Sequence, residues 1–154
     1  MTQQPDTVVI PTEFTLTASA VQIFSIDFGL ILPGASETKA ITVKNQSGAT
    51  ITTPRFFMRR SDGLYTKPTA EDSDDANLKG QEMLDEKWME VREPPGAFKP
   101  IGGDFGNQGV AANYLILSSI ADAATLALEV KLNLPTGIDT SGLATWQIGL
   151  AWSP

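Results

Sequence analysis

Half of the eighteen carboxylates in this 154-residue chain crowd into one stretch: Glu71, Asp72, Asp74, Asp75, Glu82, Asp85, Glu86, Glu90 and Glu93. Two chemistries use carboxylates at such density. A pair of acids can cleave a glycosidic bond, one protonating the leaving oxygen while the other serves as nucleophile or base. That division of labour needs an apolar pocket to raise one pKa above the other, and none is expected beside acids that lie in a loop. The second chemistry is calcium binding. Asp75, Asn77, Gly80 and Glu86 take positions one, three, six and twelve of the EF-hand spacing. Lys79 stands at the fifth position, where an oxygen ligand is required, and Glu82 replaces the apolar eighth residue. No metal site is expected there.

Elsewhere the exclusions are sharper. The chain has no His and no Cys, which removes Ser-His-Asp and Cys-His nucleophile systems, zinc fingers, imidazole–metal sites and disulfides. Asp27-Phe28-Gly29 and Asp104-Phe105-Gly106 spell the kinase metal-binding triplet, without the catalytic-loop His or the phosphate-binding glycine loop. Trp88, Trp146 and Trp152 could form a sugar platform, but two of them alternate on one face of the last apolar segment, which is the pattern of core packing. The reading is of a non-enzymatic chain with no catalytic residue and no cofactor.

A formal charge of −7 and a pI near 4.4 disfavour phosphate backbones and anionic lipid, so neither nucleic acid nor membrane is expected as a partner. The chain starts without the cationic and apolar regions of a signal peptide, and no apolar run reaches the ~18–20 residues of a membrane span. The basic cluster of Arg55, Arg59, Arg60 and Lys67 precedes the acidic stretch. Phe56 and Phe57 are interleaved with it and lie out of phase, so one of them faces away from the core. An outward Phe beside arginines suits a protein interface. Arg55, Phe56, Arg59 and Arg60 are therefore interface candidates, together with Val8, Val9 and Ile10. Those three form an apolar run bracketed by Pro5 and Pro11, an arm over residues 1–12 that could add to a sheet edge, its own or a neighbour's.

These residues must be positioned by strands, because the dominant period is two. Leu126, Leu128, Val130, Leu132 and Leu134 alternate with polar or small residues up to Pro135, and Trp146, Ile148, Leu150 and Trp152 repeat the pattern. Phe14 to Ala20, Ser25 to Leu32, Glu37 to Asn45, Ile51 to Met58, Trp88 to Arg92 and Tyr114 to Ser119 are also β-like, the last apolar enough to be central. The expectation is an all-β antiparallel sandwich of seven to eight strands, with residues 13–154 as one domain. Two long loops interrupt it: the acidic 66–86, with a helical turn in which Leu84 and Trp88 share a face, and the Gly- and Pro-rich 94–111.

Ile26-Asp-Phe-Gly-Leu30, Pro33-Gly-Ala-Ser36 and Lys39-Ala-Ile-Thr-Val-Lys-Asn-Gln-Ser-Gly48 resemble the opening strands of immunoglobulin-like sandwiches of the PapD and major-sperm-protein group. The second half departs from that group. Phe98-Lys-Pro-Ile-Gly-Gly103 and the Leu126–Pro135 strand with its Thr136–Gly142 loop resemble small virion structural proteins of tailed bacteriophages. That likeness implies a tail, baseplate or head-decoration subunit. Such a subunit would assemble in the bacterial cytoplasm, with copies of itself and other virion proteins as partners. The immunoglobulin-like half alone implies instead a cellular adaptor or chaperone module that pairs an edge strand with a client.

Overall fold

The computed structural model describes residues 7–9, 14–18, 21–22, 26–60, 76–102, 113–138 and 144–151. Among them are ten strands and one helix: β1 (Thr7–Val9), β2 (Phe14–Ala18), β3 (Val21–Gln22), β4 (Ser36–Asn45), β5 (Arg55–Arg60), α1 (Ala76–Asp85), β6 (Met89–Arg92), β7 (Lys99–Pro100), β8 (Tyr114–Ile116), β9 (Thr125–Asn133) and β10 (Trp146–Ala151). The strands form two sheets, one ordered β1-β10-β5-β8 and the other β3-β2-β4-β9-β6-β7. The fold is an all-β sandwich. Every pairing is antiparallel except β1 on β10, which run parallel with Val8 beside Ile148.

Alternation decides which side chains meet between the layers. On the six-stranded sheet Ile41 and Val43 of β4, Leu128, Val130 and Leu132 of β9, and Met89 and Val91 of β6 are buried. From the four-stranded sheet come Phe56 and Met58 of β5 and Trp146, Ile148 and Leu150 of β10, set opposite one another by the β5–β10 register. Ile26 and Phe28 enter the same core from a coil, with the Phe28 ring 6.0 Å from that of Trp146.

At one end of the sandwich the chain is tied by Asn45, whose side chain is fully buried. Its Nδ2 donates to the carbonyls of Ala49 at 2.7 Å and Ile120 at 2.8 Å, and its Oδ1 accepts from the Ser47 N–H at 2.9 Å. The Asn45 backbone pairs with Ala123 and Ala124, and Ile51 bridges Ile120 between the layers. At the other end α1 lies against β5 and β10. Its first carbonyl, of Ala76, accepts from Thr145 N–H at 3.0 Å. Gly80 faces the same residue so closely that a Cβ there would stand 1.8 Å from the Thr145 oxygen.

Several expectations need correction. The 66–86 loop contains α1, longer than a single turn, because Thr145 and the sheet end hold it where its own sequence, with Gly80 at mid-helix, is a poor helix former. The 94–111 loop includes the short edge strand β7. Ser25 to Leu32 is not a strand over its described part; the chain from Ile26 to Ala35 is coil. Residues 114–116 are not central but form an edge, since Tyr114 is covered by side chains rather than by another strand. The strand total exceeds seven or eight because β3, β7 and the arm strand β1 are too short to show a period.

Candidate functional site

The interface residues read from the sequence divide by strand parity. β5 sends Phe56, Met58 and Arg60 inward and leaves Arg55, Phe57 and Arg59 on the outer face. Phe56 is 0% exposed and Arg60 is also buried, so neither can meet a partner; both lie on the core side beside Leu150 and Trp146. The outward phenylalanine is Phe57. Its ring lies over Gly149, where a Cβ would come within 2.2 Å of the ring carbon Cζ, so only glycine admits this packing. The Arg55 guanidinium sits 4.8 Å above the Tyr114 ring, and Arg59 Nε donates to Gln147 Oε1 at 2.9 Å. The outer face thus keeps two of the predicted arginines, each already engaged by its own chain. Val8 and Val9 lie in β1 on the edge of this sheet, and Ile10 lies outside the described residues.

A feature unread in the sequence is an apolar loop held in solvent. Leu30 is 91% exposed and Leu32 is 65% exposed, while Ile31 between them packs on the core. The loop is built, not loose. Asp27 Oδ1 accepts the Gly29 N–H at 2.7 Å, and Ala35 N–H closes a turn onto Leu32 O at 3.0 Å. Pro33 followed by Gly34 at φ 80° makes this a type II turn. Ile116 adds a third exposed apolar side chain, 54% exposed, on edge strand β8. The sequence signal was there in Leu30-Ile31-Leu32, but a short apolar run reads equally as a strand.

The remaining polar clusters are ties. α1 ends in a Schellman pattern, with Trp88 N–H on Met83 O and Lys87 N–H on Leu84 O. The left-handed residue is Lys87, at φ 62°, where glycine is usual. Its ammonium explains the exception: it donates to Gly102 O and, at 2.7 Å, to Asn113 Oδ1, joining the helix end to two distant segments. Burial lowers the Lys87 pKa; Asp85 nearby opposes the shift and Lys99 adds to it. On the outer face of the six-stranded sheet, Glu90 pairs with Lys131 at 2.6 Å and Arg92 with Glu129. Phe98 lies across these pairs, 4.4 Å from the Arg92 guanidinium and 4.3 Å from Lys131 Nζ.

Chemically these groups lock one another. Asn77, Lys79 and Gly80, three of the residues in the calcium spacing, belong to a helix rather than to a ligand loop. Among the described residues no cluster of three or more acidic, His or Cys side chains could hold a metal, and no helix is long and apolar enough to cross a membrane. What the surface offers is apolar side chains on ordered backbone, a geometry for contact. Comparison with protein-family models, with curated proteins and with solved structures returned no match.

Proposed function

We propose that the chain is a non-enzymatic structural subunit of a bacteriophage virion, a tail, baseplate or capsid-associated component that acts by protein–protein assembly. The observation that carries this reading is the Leu30–Leu32 loop. A solitary acidic domain gains nothing from two leucines braced in water by an Asx turn and a Pro-Gly turn. A subunit that presses this loop into a neighbour gains apolar burial at little ordering cost, because the loop is already fixed. The phage-like style of Phe98–Gly103 and Leu126–Gly142 supplies the particle; the partners are other virion proteins and copies of the chain, assembled in the host cytoplasm.

Particles released from the host, purified by density gradient and probed with an antibody to this chain, test the reading. The chain should band with particles, and Leu30→Asp with Leu32→Asp should leave it folded but absent from them. Recovery only in the soluble host fraction would sink the proposal. That result would favour the second reading, a cellular immunoglobulin-like adaptor, which is supported by the stretch of β4 edge that no described strand covers.

A further inference from the structure

We infer that the edge of β4 which no described strand covers is a self-pairing site, where a second copy of this chain adds its own β4 antiparallel across a two-fold axis at Thr38. The inference goes beyond the virion reading, since it rests on β4 alone. One side of β4 is paired with β9 from Ser36 to Lys44. On the other side β2 takes over only from Thr42 to Asn45. Between Ser36 and Ala40 no described strand covers that side.

The hydrogen-bonding groups there face the right way. Asn45 N–H and C=O both engage the β9 side, at Ala124 and Ala123. Alternation then turns the groups of Ser36, Thr38 and Ala40 to the open side. These three residues are symmetric about Thr38. In an antiparallel pair centred there, Thr38 faces Thr38 of the second copy, and Ser36 faces Ala40 in both directions.

Charge selects the same register. Glu37 and Lys39 lie on the same side of β4, paired to each other at 3.0 Å and partly exposed. An inward-pointing charge on an edge normally repels an added strand. Here the Thr38 register sets Glu37 of each copy opposite Lys39 of the other. A slip of two residues brings Glu37 against Glu37 or Lys39 against Lys39, and a slip of one turns the hydrogen-bonding groups out of phase. The strand that fits this edge is therefore itself.

Sedimentation equilibrium of the purified full chain and of two single variants tests this. The wild type should dimerise reversibly. Glu37→Lys and Lys39→Glu should each weaken the dimer roughly tenfold or more, because two opposite-charge pairs become like-charge pairs. Mixing the two variants should restore a dimer, since each then supplies the charge the other lacks. As the chain has no cysteine, Thr38→Cys should give a disulfide-linked dimer on mild oxidation, whereas Thr125→Cys on the outer face should not. A monomeric wild type at the highest soluble concentration overturns the inference. So does a dimer that survives both charge reversals, or a variant mixture that stays monomeric. Particle incorporation is a separate readout, so failure here leaves the virion reading standing.

Discussion

The two ends of the sandwich are closed by different means. At the Asn45 end one buried amide satisfies two carbonyls and an N–H, and every partner lies in 45–51 or 120–124. At the α1 end the closure is spread over a helix against Thr145, a glycine with no room for a methyl, and a lysine reaching to Gly102 and Asn113. The described residues flanking 61–75, 103–112 and 139–143 also gather there, with Arg60 beside Trp146, Gly102 bonded to Asn113 and Thr145 bonded to Ala76. A knot made within two tight turns stands or falls with the whole fold. A closure that links separate segments can open in parts, so the α1 end is where local change is tolerated.

The largest effect should come from the α1 end's share of the core. Trp146→Ala removes a buried ring that packs near Phe28 and should cost about 3–5 kcal/mol in urea unfolding. An unchanged unfolding midpoint would place the ring outside the core. Next, Asn45→Ala removes three hydrogen bonds at the other end, although Ala49 O keeps Ser47 Oγ and Ile120 O keeps the Ile51 N–H, and should cost about 2–4 kcal/mol at roughly 0.5–1.5 kcal/mol for each bond lost. A loss below about 1 kcal/mol would mean that the knot is dispensable and the contrast between the ends is false.

A smaller and more local result is expected of Gly80→Ala. The new methyl meets Thr145 O, and overpacking of this kind costs about 1–3 kcal/mol. Amide exchange over 76–85 should accelerate while β4 and β9 stay protected; uniform acceleration would show that the two ends are one cooperative unit. The smallest effect concerns Lys87. Lys87→Gly and Lys87→Met both lose the bonds to Gly102 and Asn113, but only glycine relieves the left-handed backbone, so it should be the more stable of the two by about 1 kcal/mol. Since burial lowers the folded-state pKa of Lys87, the unfolded chain binds more protons between that value and 10.5, and stability should rise with pH across the window. Lys87→Met should flatten this rise, and an identical slope in thermal melts of the variant would contradict the assignment.

How much of this was legible in the sequence follows from the range of the forces involved. β4, β9 and β10 declare themselves because one face is buried and the other wet, which writes a period of two into the chain. The Asn45 turn is equally readable in Asn45-Gln-Ser-Gly48, since its geometry is local. α1 was hidden, because what makes it a helix is Thr145, sixty-odd residues on by the numbering. Lys87 gave no signal at all, as its acceptors are brought to it only by the finished topology. At β5 the parity argument correctly required one outward phenylalanine, yet Phe56 was the wrong choice: phase is fixed by the partner strand, where Gly149 makes room for Phe57.

One feature of the four-stranded sheet bears on how the molecule comes into being. β10, which follows every other described strand along the chain, lies in the middle of that sheet, between β1 and β5. The six-stranded sheet has all its described strands by Asn133 and can pair without β10. The other layer cannot: until residues 146–151 arrive, β1 has no neighbour in it and β5 holds only β8. Without β10, Ile41, Val43, Leu128 and Val130 therefore lack much of the layer that buries them. Closing this layer joins residues about 140 positions apart, a slow kind of closure for a chain of this size.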